Sequence, residues 1–162
     1  FTIWLNSTLQ SESNALSNEF IVRLPTEAEW EWAARGGLKR SPYPNGMTVG
    51  NARLSNSKNT GPGTAPTSAP NGYGLYDLLG NVWEWTETWY GPASYLLAAG
   101  AKLTNDSSMT PSVGAERVIR GGSWATNDRL IRVHSRGAQE PSWATSYIGF
   151  RVVIGQRLTS DG

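Results

Sequence analysis

Apolar positions in this chain of 162 residues fall into short runs separated by long polar stretches. Near the end, Val118 and Ile119 lead into Gly121-Gly122, and Phe150-Arg151-Val152-Val153 has the aromatic and β-branched make-up of a strand. The paired glycines, lacking Cβ atoms, suit a turn or a close approach of two backbones. At the start, Phe1-Thr-Ile-Trp-Leu5 reads as the last turns of a helix, and Asn6 to Glu19 as a surface loop. The clearest local signal is Thr26 followed three residues later by Glu29: a hydroxyl that caps new amides and a carboxylate that returns the hydrogen bond. With Gly36 as a left-handed stop, one short helix from Glu27 to Arg35 is predicted.

Residues 36–72 are rich in Gly, Pro, Asn and Ser, and so long a connection inside a compact domain needs something to pin it, a bound ion being one candidate. Asn71 to Trp85 then packs apolar residues around two carboxylates, and Tyr90 to Glu116 returns to loop composition. Hydrophobic residues make up 38% and include eight Trp, enough for one core and one domain, with aromatic packing doing much of what long helices do elsewhere. The formal charge is +1 with scattered basic residues, so no phosphate-tracking stripe marks a nucleic-acid binder. There is no Cys, which rules out disulfides and thiolate chemistry and leaves the redox compartment unreadable. No run reaches the roughly 18 apolar residues of a membrane span, and no charged-then-apolar leader is visible. The latter leans towards the cytoplasm without fixing the location, while a first residue of Phe rather than Met suggests a fragment or processed product whose address signal is lost.

Five segments in order, R-L-P-T-E-A-E-W-E-W-A-A-R-G-G, G-T-A-P, N-G-Y-G-L-Y-D-L-L-G-N-V-W-E-W, R-G-G-S-W and G-F-R, resemble the formylglycine-generating enzyme (sulfatase-modifying factor) family. The resemblance covers Phe1 to about Ile154 and implies an α+β variant of the C-type lectin fold, with a small twisted antiparallel sheet, few short helices and much ordered loop. It places the domain at 1–155 and a tail at 156–162. Because F-T-I-W-L matches a helix that sits well inside the family's domain, it also implies an N-terminal portion, supplied by a separate piece or a larger parent chain. Founding members oxidise a substrate cysteine with two copper-binding cysteines shortly after G-G-S. Here Ala125 to Ile131 follow, with no thiol, and neither hydroxyl nor aliphatic side chains can hold Cu(I), so neither that oxidation nor copper is expected.

A second branch forms C–S bonds in sulfur-containing histidine betaines with iron on three histidines. His134, the only histidine, cannot make that site unless a partner domain supplies the others, and it reads otherwise as an outward-facing strand residue; iron is not expected. A structural calcium ion is implied instead. Members with established sites hold one ion between positions matching Asp77, the carbonyls of Gly80 and Val82, and Glu84, an all-oxygen cage suited to Ca²⁺. The alternative is that Asp77 caps a turn and Glu84 pairs with an arginine. A second, weaker site would use Asn51, Ala52, Asn59 and Gly61, where the amide of Asn59 replaces a charged ligand.

Trp30, Trp32, Trp83, Trp85 and Trp124 lie in motif cores and are expected to be structural, and Trp124 and Phe150 to be buried. Trp143 is either an exposed anchor or a side chain folded over the sheet. Between Trp124 and Gly149, Ile131, Arg132, Arg136, Pro141 and Ile148 match the family framework, while the positions around them are mixed as in a paratope. That mixture resembles the variable proteins of diversity-generating retroelements, which share this fold. Asn codons of the form AAC, mutated at their adenines, encode many of the residues found here, although Gln139, Glu140 and Trp143 need other templates; an ordinary, undiversified rim remains the alternative. The expected function is a non-catalytic module presenting residues 125–147 to a protein or other macromolecule through Thr126, Asn127, Asp128, Leu130, Ser135, Gln139, Glu140, Trp143, Thr145 and Tyr147. The alternative function is an iron-dependent enzyme of the sulfur-histidine betaine branch lacking its partner domain.

Overall fold

The structure is a computed structural model and describes residues 1–11, 20–46, 61–64, 66, 69–91 and 116–156. In chain order come α1 (Thr2–Ser11), β1 (Phe20–Arg23), α2 (Glu27–Arg35), β2 (Trp83–Trp89), β3 (Arg117–Arg120), β4 (Arg136–Gln139), β5 (Ile148–Gly149) and β6 (Val153–Gln156), with a 3-10 turn at Asp128–Leu130. β1 and β6 form a small antiparallel sheet. The other sheet has the order β4-β3-β2-β5 and is antiparallel except where β5 runs parallel to β2. This is the expected α+β arrangement of two helices and small curled sheets.

Helix α2 obeys its local signals. Thr26 Oγ1 accepts the Glu29 amide while Glu29 Oε2 accepts the Thr26 amide at 2.8 Å, and Gly36 closes the helix at φ 56°. Gly121 and Gly122, both at positive φ, make the close approach foreseen for them. A Cβ on Gly121 would stand 2.8 Å from the Leu78 carbonyl, and one on Gly122 would stand 2.9 Å from Ile131.

Several expectations need correcting. Helix α1 does not end at Leu5 but runs on to Ser11. Asn6, assigned to a loop, instead bridges α1 to β1, its side chain accepting the Val22 amide and donating to the Val22 carbonyl, each at 2.7 Å. The predicted strand over Phe150–Val153 begins only at Val153, because the chain leaves the larger sheet after Gly149 and joins the smaller one at β6. Phe150 and Trp32 are not buried: they are 50% and 66% exposed, and Trp124 is only half-buried because its indole spans the surface to reach the Ser146 carbonyl. Trp32 stacks on Tyr73 at the surface, and Phe150 packs on Phe1, itself beside Trp4, in an exposed aromatic patch.

The core gathers Trp30 and Ala34 of α2, Tyr43, Leu78, Leu79, Ile131 and Val133. Beside it lies an ionic knot. Arg120, fully buried on β3, donates to Glu27 at 3.2 Å, to Glu31 at 2.5 Å, and to the carbonyls of Val133 and His134; Arg136 adds two bonds to Glu27. Desolvation pulls the Arg120 pKa below the usual arginine value, and the charges of Glu27 and Glu31 oppose that fall. At its far end the polar stretch after α2 is tied to the helix: Asn71 Nδ2 donates to the Ala33 and Ala34 carbonyls, at 2.7 and 3.3 Å.

Replacing Glu27 with Ala removes a carboxylate shared by two guanidinium groups, one of them with no access to water, and is expected to cost about 3–5 kcal/mol in urea unfolding. Glu29 gives a separate, pH-dependent test. The hydrogen bonds from Arg23, against an opposing cost of burial, hold its carboxyl at about 2, below an ordinary value near 4.5. A depressed carboxyl contributes stability that is full above its unfolded pKa and lost as pH falls through the folded one. The melting temperature should therefore decline between about pH 4.5 and 2, and Glu29→Gln should lower it at neutral pH while flattening that decline. An unchanged acid profile in Glu29→Gln would exclude this carboxylate as the source.

Candidate functional site

Strand β2 is the spine of the candidate surface. The variable segment leaves β3 on one side of β2, turns back as β4 on the outer edge of β3, then crosses to β5 on the opposite side of β2. Both ends are thus held by one strand, and Trp83 N fixes the exit by donating to the Tyr147 carbonyl at 2.8 Å. Trp124 joins the two arms: its amide donates to the Asn81 carbonyl at 2.8 Å and its indole to the Ser146 carbonyl at 3.3 Å. In between, Ile131 and Val133 are both fully buried and drive the middle of the segment into the core like a peg.

The ten candidate contact residues divide by what their side chains do. Asn127, Asp128, Leu130, Glu140 and Trp143 are exposed, Leu130 by 66% and Trp143 by 52%, which settles Trp143 as an outward side chain. Thr126, Ser135, Gln139, Thr145 and Tyr147 are half-buried. Several shape the loop itself. Thr126 Oγ1 accepts the Ser123 amide, Asn127 Oδ1 accepts the Arg129 amide and caps the 3-10 turn, and Ser135 Oγ accepts the Arg132 amide while donating to the Leu130 carbonyl. Thr145 Oγ1 is buried without a partner. Gln139 sits in β4 opposite Arg117. Arg129 and His134 are exposed and unforeseen as contact residues; His134 lies in a turn, not on a strand. Charge at an exposed tip was the only signal that could have found Arg129.

The motif from Asp77 to Glu84 lies beneath this surface. Asp77, Gly80 and Asn81 all take positive φ, so the bend is tight, and Asp and Asn tolerate the left-handed region better than most residues. Asn81 Oδ1 also accepts the Gly63 amide at 2.8 Å. Of the two roles open to Glu84, pairing with an arginine is present: Arg151 donates to both carboxylate oxygens at 2.6 Å, and Trp30 Nε1 adds a third bond to Oε2 at 2.6 Å. Burial lowers the Arg151 pKa, but the Glu84 hydrogen bond and charge, with Asp77 nearby, outweigh it and leave the group above its usual value. Oε2 thus has both lone pairs engaged and Oε1 keeps one. Among the described residues no three His, Cys, Asp or Glu side chains converge, so an ion here would depend on backbone carbonyls such as those of Gly80 and Val82. Of the second candidate site, Asn51, Ala52 and Asn59 lie outside the described residues, and Gly61 stands at φ 106°.

The family profile of the sulfatase-modifying factor enzyme 1-like domain matches residues 1–156. The chain belongs to this family. The formylglycine-generating enzyme of Thermomonospora curvata is 39% identical over 147 residues, 80% of this chain and 48% of that enzyme. The serine/threonine-protein kinase pkn1 of Chlamydia pneumoniae is 40% identical over 129 residues, covering 80% of this chain and 20% of the kinase. Among solved structures, Treponema denticola variable protein 1 superposes with a TM-score of 0.65 at 32% identity, over 88% of this chain and 50% of that one. The chain therefore spans half or less of the length of these relatives. A sulfatase-modifying-factor domain thus recurs in proteins named for unrelated activities, and the residues of the site have to decide among them.

Adjacent residues should behave oppositely if the peg and the surface are distinct. Ile131→Ala should cost about 2–5 kcal/mol in denaturant unfolding, as a fully buried aliphatic side chain. Leu130→Ala should stay within about 0.5 kcal/mol.

Proposed function

We propose that this domain is a non-catalytic binding module that presents residues 125–147 to a protein or another macromolecule. The observation that carries the reading is the pairing of a backbone fixed at both ends by β2 with large side chains, Leu130 and Trp143, turned outward from it. Exposed aromatic and aliphatic anchors on a preorganised backbone lose little entropy on contact, which is how recognition surfaces concentrate their energy. The likeness to a protein named for variability supports a surface whose residues change while its scaffold stays. Chemistry weighs against catalysis: the chain has no Cys for a copper pair, and its single histidine, exposed, supplies one imidazole where the iron-dependent branch uses three.

Randomising Asp128, Leu130, Glu140 and Trp143 together in a displayed library should leave most members folded and yield binders to an arbitrary protein target such as lysozyme. The same treatment of Val118, Ile119, Ile131 and Val133 should unfold most members. Equal losses in both libraries would make the segment core and end the binding-module reading. In parallel, copper and a sulfatase-motif peptide should give no change of peptide mass; enzyme-dependent loss of the thiol would overturn it outright.

The same proposal includes a structural calcium ion at the Asp77–Glu84 bend, supported by the oxygen-only ligand types and the one lone pair left on Glu84 Oε1, and opposed by Arg151, which already compensates the carboxylates. An occupied site at a hundredfold excess over Kd would add about 2.7 kcal/mol, so chelation should lower the melting temperature. Asp77→Asn, which keeps a residue tolerant of positive φ, should abolish the response to chelator. A wild-type melting temperature indifferent to chelator would leave Arg151 as the sole countercharge.

A further inference from the structure

Helix α2 carries two tryptophans two residues apart, and only one of them serves the core. Trp30 is buried, whereas Trp32 is 66% exposed and stacks on Tyr73, with ring centroids 4.7 Å apart at 25°. The pair is held in place from below. Asn71 donates to the carbonyls of Ala33 and Ala34 and accepts the Tyr73 amide at 2.9 Å, so one side chain positions Tyr73 against the helix that carries Trp32. The two backbones also meet there: a Cβ on Gly72 would stand 2.3 Å from the Gly36 carbonyl oxygen, which admits no residue but glycine. The result is a prearranged aromatic platform at the surface, and Trp32, with Tyr73 on one face, keeps most of its area open.

This platform is part of the wall of a groove of about 530 Å³ that continues through Gly37, Leu38, Lys39 and Arg40, a volume within the usual range of small-molecule sites, roughly 300–1,000 Å³. Its charge is one-sided. Arg35, also in the wall, is compensated by Glu31, which accepts from its Nε and Nη2. Lys39 and Arg40 are exposed and have no anionic partner among the described residues, and no carboxylate lines the groove. Arg40 also holds φ at 60°, a region that an arginine enters at a cost and that recurs where a ligand is clamped. A Cβ on Gly37 would stand 3.7 Å from Tyr73 Oη, so the two cations begin two residues past the platform, at most roughly 7 Å along the chain.

We propose that this groove binds a nucleoside phosphate, its base stacked on Trp32 and its phosphate accepting from Lys39 and Arg40. Three features choose this ligand among anions. Two uncompensated cations match a phosphate monoester, which carries a charge of about −1.5 to −2 at pH 7, better than a single carboxylate. A flat base has a π face to lay on an indole, and stacking of this kind accepts any base. The gap between platform and cations leaves room for a pentose between ring and phosphate, which an aryl phosphate lacks. No residue of 125–147 lines the groove, so the assignment does not rest on the binding-module reading.

The test is titration calorimetry of the intact chain with adenosine, guanosine, cytidine and uridine 5′-monophosphates at millimolar concentration. The free nucleosides, ribose 5-phosphate, inorganic phosphate and phosphotyrosine serve as controls. The expected result is saturable binding of at least one nucleotide, weakened roughly tenfold or more by loss of its base or its phosphate, by Trp32→Ala and by Arg40→Gly. Glycine suits the positive φ of position 40, so Arg40→Gly should not lower the melting temperature, which separates loss of binding from loss of fold. No binding by any nucleotide would overturn the proposal, as would binding that survives both substitutions or is matched by any of the controls.

Discussion

Arg120 has no contact with water, and its neighbourhood is organised around that fact. A guanidinium cannot shed its charge in a protein, so it must be met by anions and carbonyls or not be buried at all. Here Glu27 and Glu31, one turn apart on α2, meet it from one side, and the carbonyls of Val133 and His134 meet it from the other. The donor stands on β3, so one side chain ties the helix, the central sheet and the far arm of the variable segment together. Arg136 shares Glu27, which fastens β4 to the same point, while Arg35 holds the other oxygen of Glu31. Among these bonds one donor, Arg120 Nε, stays unpaired, a cost the knot carries in exchange for joining elements that a small apolar core alone would hold loosely.

That knot explains how a loop-rich surface can be both fixed and changeable. Ile131 and Val133 enter the core, the Val133 and His134 carbonyls satisfy Arg120, and Asn127, Thr126 and Ser135 close local turns. The backbone between Gly121 and Arg136 is therefore determined by residues that point inward or along the chain. Leu130, Trp143, Asp128 and Glu140 take no part in that framework, so changing them alters chemistry at the surface with little effect on the path beneath it. The division runs between neighbouring residues, as between Leu130 and Ile131, and not between one stretch and another.

Glu84 shows the same economy. Its carboxylate accepts Trp30 from the core and Arg151 from the strand crossing, so it joins α2, β2 and the approach to β6. This accounts for the strand that begins late: Arg151 reaches Glu84 and the Tyr76 carbonyl from a position between the two sheets, while Phe150 is left outside against Phe1.

The sequence by itself determined what depends on neighbours within a few residues. The capping box of Thr26 and Glu29, the left-handed Gly36 and the tight Gly121-Gly122 corner are contacts over short separations, set by backbone geometry whatever the rest of the chain does. Motif order likewise made the family and the fold legible, because five segments in sequence are specific where no single one is. Tertiary structure alone decided the partners of charged and aromatic side chains. Glu84 chose Arg151 over 67 residues and Arg120 chose Glu27 over 93, while Trp32 was left outside because α2 turns only one face, that of Trp30 and Ala34, to the core. Such pairings balance desolvation against charge at positions that only folding brings together, and nothing local in the chain encodes that balance.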